Sequence, residues 1–286
     1  MPSQRTLDLL TVVYAPELDM LRTQARSIAN RFGYNDLAVI HVIVNDDPSL
    51  ADQIDVGWWH QHEQKVKIYT RADMGYSPSH YINGWHSQQI LKLLGAANST
   101  SDWCMILDAK TWFVRNYEES MLFDNGRARM SVMAVTPPPF LKGKQYLEEL
   151  LGVEYSVSIG PGGVPYLMKP AIVCRMLEVM QDFTGKPFIE WFESNCHFPI
   201  NGVTEFVCYA VFVHYLFGSI DAFYTGEQDI TVHNLADWEV GRFDHWYSGI
   251  QSPSTFTASI QGKALPLLNQ DQITMWNRYL NQRDLA

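Results

Sequence analysis

Trp103-Cys104-Met105-Ile106-Leu107-Asp108-Ala109-Lys110 is the stretch on which the reading of the chain turns. A short apolar run that ends abruptly in an acid reads as a buried parallel strand carrying a carboxylate to the edge of its sheet. Open α/β sheets bind ligands outside the carboxyl ends of their strands, which puts Asp108 where chemistry is done. The plainer account of a single strand-end acid is that it caps the following turn. The neighbouring segments bear on the choice between the two.

Upstream, Leu7 to Val13 is a near-continuous apolar run, the expected first buried strand, broken by Tyr14-Ala15-Pro16. Leu18, Leu21, Ala25, Ile28 and Phe32 follow at helical steps, with Gly33 just past the end. Leu37 to Val44 is the second strand, closed by Asn45-Asp46-Asp47-Pro48. Strand, helix and strand in this order make a parallel unit with a crossover helix. Asp55 to His60 suggests a helix and Lys65 to Tyr69 a third strand. Gly84-Trp85 opens a helix through Ile90, Leu93 and Leu94 that Asn98-Ser99-Thr100 ends, just before the strand that carries Asp108.

Downstream, Met130 to Val135 reads as a strand stopped by Pro137-Pro138-Pro139, and Gly160 to Pro165 as an irregular loop. Pro170 suits a first helical residue, with Val173, Met176, Leu177 and Met180 on one face. Thr204-Glu205-Phe206 starts a very apolar helix towards Phe217. Short strands are expected around Ala222–Thr225 and Ile230–His233, and a closing helix over Asn269 to Leu280. The expected fold class is α/β, a mostly parallel Rossmann-like sheet flanked by helices with a mixed C-terminal half. One domain of 286 residues is expected, with its halves at about 1–135 and 136–286.

Composition narrows the function. With 47% hydrophobic and 18% charged residues the chain has ample material for a core. A net charge of -10 argues against a nucleic-acid partner, which wants a basic field. Cys104, Cys174, Cys196 and Cys208 form no CxxC pair and read as free buried thiols, which fits a cytoplasmic protein. Met1-Pro2-Ser3-Gln4-Arg5 runs into a strand without an apolar signal core, and no stretch has the length of a transmembrane segment. The expected location is cytoplasmic, with a peripheral visit to the inner membrane if a substrate is lipid-linked. Aromatic platforms for sugar rings or bases are available among 9 Trp and 14 Tyr, the candidates being Trp58, Trp59, Trp238 and Trp246.

The order of these parts resembles the GT-A fold of nucleotide-diphospho-sugar glycosyltransferases. The likeness rests on Leu10-Thr11-Val12-Val13-Tyr14, on the strand ending at Asn45-Asp46, and on Met105 to Lys110. A little-characterised bacterial group of such enzymes is similar at Gln24-Ala25-Arg26-Ser27, Gly84 to Gln89, Leu107 to Lys110 and Thr204-Glu205-Phe206. The resemblance covers most of residues 7 to 215. It implies transfer of a sugar from a nucleotide-diphosphate donor to the hydroxyl of a glycan or lipid-linked acceptor, in the synthesis of a bacterial surface polysaccharide.

It also implies site residues. Thr11, Val13 and Tyr14 would lie beside the nucleobase, and Asn45 and Asp46 would bond base or ribose. Gln88, Gln89 and Lys92 would face ribose or phosphate, a solvated helix face being the other reading of Gln88 and Lys92. GT-A enzymes commonly carry two acids one residue apart that hold Mn2+ or Mg2+ against the diphosphate. Here Lys110 stands where the second acid is expected. Either Asp108 holds a metal with help from a late histidine, His233 first and His245 second, or Lys110 binds the diphosphate directly and no metal is needed. His60 and His62 form the one other histidine pair. Glu205 corresponds in position to the base of inverting enzymes, although Thr followed by Glu is also an ordinary helix start. Gly162-Gly163 would admit a ligand to the backbone or simply make a turn. Two rivals stay open. A nucleotidyltransferase would want a basic glycine-rich loop where Tyr14-Ala15-Pro16-Glu17 stands, and a non-catalytic glycan- or nucleotide-binding protein would tolerate the loss of the second acid.

Overall fold

Four parallel strands and one antiparallel edge strand form the central sheet of the computed structural model, which describes residues 5–79, 82–130, 132–133, 138–155, 158–159, 164–196, 202–226 and 231–285. The parallel strands are β1 (Leu7–Val13), β2 (Leu37–Val44), β3 (Val66–Thr70) and β4 (Trp103–Asp108). They lie in the order β4-β1-β2-β3, and Tyr166–Met168 adds the antiparallel edge beside β4. All seven residues of β1 are buried, as a strand covered on both faces must be. Its register runs from Leu7 opposite Trp103 to Val12 opposite Asp108 on one side, and to Val13 opposite Val44 on the other.

Two crossover helices sandwich this sheet. Helix α1 (Leu18–Arg31) leads from β1 to β2, and α2 (Gly84–Ala97) leads back across the sheet to β4. Right-handed crossovers in opposite directions place them on opposite faces. Asn83 caps α2 by accepting from the His86 amide at 3.0 Å. Gly95 lets α2 come close to the sheet, because a Cβ there would collide with Leu10 Cδ1 and Ile43 Cδ1.

Burying Asp8 in β1 requires compensation, and a polar knot provides it. Its carboxylate accepts from Ser99 Oγ at 2.6 Å, Ser101 Oγ at 2.8 Å and the Val39 amide at 3.0 Å, with His41 Nε2 at 2.9 Å. Burial alone would raise its pKa, but these bonds and His41 hold it below the usual carboxylate value.

The second half is mixed. A three-stranded sheet pairs Thr231–Leu235 in parallel with Thr255–Ile260, and Thr255–Ile260 in antiparallel with β5 (Thr111–Phe113). β5 begins three residues after Asp108, so the turn after β4 joins the two sheets. Trp112, Trp246, Phe243, Ile260 and Tyr279 belong to a second apolar cluster around this sheet, separate from the main core.

The α/β class, the mostly parallel sheet and the mixed second half agree with expectation. So do helices Pro170–Thr184, Glu205–Phe217 and Gln270–Gln282. Three expectations need correction. Pro138 opens a helix, Pro138–Leu151, rather than ending a strand, since a proline costs nothing at a first helical position whose N–H has no partner. Of the strand expected over Met130 to Val135, only Val132–Met133 is strand among the described residues. Ala222–Thr225 is a turn that touches Ala128 through one isolated bridge at Tyr224. The Gly160–Gly163 part of the glycine-proline loop lies outside the described residues. Among the described residues no helix is long and apolar enough to cross a membrane.

Candidate active site

Strand order reverses between β1 and β4, and at such a point the loops after the two strands diverge and leave a crevice. Here the crevice is a cavity of about 560 Å³. Tyr14 and Glu17 reach it from the loop after β1, Lys110 from the turn after β4, and Gly84, Trp85 and Gln88 from the start of α2. Asp237, Trp238 and Gln261 to Lys263 close it from the second sheet's loops. A larger, more open groove of about 920 Å³ lies at the opposite ends of the strands, around Arg5, Arg31 and Glu119. Of the two, the cavity at the carboxyl ends is where an open α/β sheet binds ligands.

Behind the cavity wall lies a buried charge cluster. Lys92, only 4% exposed, donates to Asp108 Oδ1 at 2.8 Å and to Glu205 Oε1 at 3.0 Å. Lys110 Nζ stands 3.4 Å from Asp108 Oδ2. Burial would lower the Lys92 pKa, but the two carboxylates raise it well above the usual lysine value. Burial would likewise raise Asp108, yet Lys92 and Lys110 hold its carboxyl far below the usual range. The Glu205 amide donates to Gln89 Oε1 at 3.3 Å, and Thr204 caps the helix by accepting from the Val207 amide. Gln24 of α1 fixes the turn itself, donating to the Asp108 carbonyl at 2.6 Å and the Thr111 carbonyl at 2.8 Å.

Glu17 was not among the residues the sequence singled out. It is 5% exposed and lines the cavity, and burial pushes its carboxyl up to about 7, with Lys110 and Lys92 pulling back and Asp108 adding to the rise. Its side chain is hydrogen-bonded to Tyr14, and among the described residues no cation lies within ion-pair distance of it. The available signal was an acid directly after the first strand, at a switch point.

The sequence-derived candidates divide. Tyr14, Gln88 and Lys110 line the cavity. Asp108, Lys92, Gln89 and Glu205 form the layer behind it. Lys92 is therefore neither on a solvated face nor at the cavity surface. Thr11 and Val13 are buried in β1, Val13 in the main core. Asn45 and Asp46 are occupied with local structure. Asn45 donates to the Gly84 carbonyl at 2.9 Å and accepts from Ser87 Oγ at 2.8 Å, while Asp46 accepts from the Ala15 amide at 3.0 Å. Trp59 and Trp246 are core residues and Trp58 packs against the core, whereas Trp238, 79% exposed, lines the cavity.

A divalent ion does not fit this donor set. Both Asp108 oxygens face ammonium groups, the position that would supply a second acid is itself a cation, and among the described residues no group of three or more His, Cys, Asp or Glu could hold a metal. His233 is not among the residues that line the cavity. Its ring packs on the helix Phe243–Gln251, where a Cβ at Gly249 would sit 2.6 Å from its Cε1, and burial and the charge of His245 lower its pKa.

A family profile described as a family of unknown function, DUF6492, matches residues 5–254. The chain belongs to DUF6492. That match spans the central sheet and every residue of the charge cluster, and stops just before Thr255–Ile260. No curated protein matches this DUF6492 chain. Among solved structures it is similar to mouse xyloside xylosyltransferase 1 in its apo form, with 11% identity and a TM-score of 0.46, covering 88% of this chain and 97% of that one. It is similar also to the galactosyltransferase LgtC in complex with donor and acceptor sugar analogues, with 12% identity and a TM-score of 0.45, covering 96% of this chain and 94% of that one.

Proposed function

We propose that the chain transfers a glycosyl group from a nucleoside-diphosphate sugar to a hydroxyl acceptor in the cavity between β1 and β4. One observation carries this reading: a cation and a carboxylate, Lys110 and Glu17, face the same cavity at the switch point of a parallel sheet, among exposed aromatic side chains. Lys110 stabilises the departing diphosphate as a point charge, without a metal. Lys92 stays behind the wall. Clamped by Asp108 and Glu205, it fixes the position of the Asp108 turn and hence of Lys110. Tyr14, Trp85 and Trp238 offer flat apolar faces to base or sugar. The order of sequence motifs supports the same reading and extends it to a glycan or lipid-linked acceptor in bacterial surface polysaccharide synthesis.

The test is a thermal-shift series with UDP, GDP, CDP and their sugars, each with Mn2+ and with EDTA, followed by assay of nucleoside-diphosphate release. Ligand at 100 times Kd adds about 2.7 kcal/mol of apparent stability, enough to read. One nucleotide should stabilise the protein equally in EDTA and in Mn2+. A shift seen only with Mn2+ would sink the metal-free reading, and no shift with any nucleotide would sink glycosyl transfer.

A further inference from the structure

We propose that Glu17 is the group that takes the acceptor's proton, an inference that rests on the glycosyl-transfer reading of the same cavity. Three carboxylates lie together at or behind the wall, apart from Asp237 on the second sheet's loops, which accepts from the Trp238 amide at 3.1 Å, and two of the three are committed. Asp108 and Glu205 each hold Lys92 at ion-pair distance, and neither lines the cavity. Glu17 is the third. It opens onto the cavity, is otherwise enclosed, and has the Tyr14 side chain for its hydrogen-bond partner.

The groups that face Glu17 are known from each direction. Tyr14 comes from its own segment, Asp108 from the end of β4, Lys110 from the turn after it, and Lys92 from α2. Asp237 and Lys263 line the same cavity from the second sheet's loops. A carboxyl in this setting is raised, which strengthens it as a base near neutral pH. The Tyr14 hydroxyl donates to the ionised form and orients it. In the transfer step the acceptor oxygen bonds to the anomeric carbon while the bond from that carbon to the diphosphate oxygen breaks. The electron pair leaves with the diphosphate towards Lys110, and the hydroxyl proton moves to the Glu17 carboxylate, which ends neutral. Cation and base thus serve opposite ends of one displacement.

The test uses the full chain and two readouts. In protein labelled with 13C at the glutamate carboxyls, the Glu17 signal is assigned by its loss in Glu17→Gln. It should titrate near 7 in the wild type and move higher in Lys110→Ala. A midpoint in the ordinary carboxylate range, about 4.3, overturns the proposal without reference to any substrate. For turnover, UDP-, GDP- and CDP-sugars are assayed for nucleoside-diphosphate release. Glu17→Gln should lose on the order of 100-fold or more in kcat while the Kd for the nucleoside diphosphate stays within about threefold. Tyr14→Phe should shift the acidic limb of the pH profile rather than abolish turnover. Normal nucleotide binding with undiminished turnover in Glu17→Gln overturns the role of Glu17 alone. Failure of the wild type to bind any of the three nucleotides overturns the glycosyl-transfer reading, and the proton-acceptor role with it.

Discussion

Replacing Lys92 by methionine should destabilise the protein by about 3–5 kcal/mol at neutral pH, the range for removing one partner of a buried ion pair. The structure narrows this figure. Asp108 keeps Lys110 at 3.4 Å after the change, so Glu205, its side chain 6% exposed, is the charge left without a cation. The loss therefore falls near about 3 kcal/mol, the low end of that range. Its pH dependence follows from the same geometry. In the wild type the depressed Asp108 carboxyl contributes stability that is present above about pH 3.9 and lost as the pH falls through its lower folded value. Urea unfolding of the wild type and Lys92→Met at pH 7 measures the loss, and Lys92→Met combined with Glu205→Leu should regain most of it. A deficit under about 1 kcal/mol would refute the account of a charge-locked cluster.

Lys110→Ala should leave the fold intact and weaken binding of the cognate nucleoside diphosphate roughly 10- to 100-fold by calorimetry, the worth of one charge-assisted hydrogen bond. Unchanged affinity would remove Lys110 from the diphosphate. Asp8→Asn should cost about 2–3 kcal/mol at pH 7 by breaking the knot with His41, Ser99 and Ser101. Because the folded Asp8 carboxyl is depressed, its contribution holds above about pH 4 and fades in acid, so the two unfolding curves should converge there. Gly95→Val should lower stability by about 1–3 kcal/mol, since its Cβ collides with Leu10 and Ile43 across a packed helix–sheet contact; an unchanged melting temperature would mean that α2 moves away freely.

The parallel sheet was legible because its strands are apolar on both faces and its helices are punctuated. β1, β2 and β4 read as runs that only a doubly covered strand tolerates, and Gly84-Trp85 marks the start of α2. Thr255–Ile260 escaped notice because its inward residues include Thr255, Thr257 and Ser259, polar side chains buried in the sheet, where a sequence pattern looks for aliphatics. In the site, a strand-end acid drew attention to Asp108, but not to what holds it. Lys92 sits in Ile90-Leu91-Lys92-Leu93-Leu94, a helix apolar nearly all round, and a lysine there has no face on which to be solvated. That cue was present and pointed to a buried pair. Its partner Glu205 lies 113 residues away, a proximity that no local pattern carries.

The cancellation inside the cluster also shapes how a ligand arrives. Asp108 and Glu205 balance Lys92 and Lys110, so this cluster carries no net charge, while the chain as a whole carries -10. On the glycosyl-transfer proposal, an anionic donor would be repelled at long range and captured only once it is within reach of Lys110. Its association rate should rise as salt screens the bulk charge, the reverse of an enzyme with a basic cleft, and approach a limit set by diffusion and orientation rather than by steering.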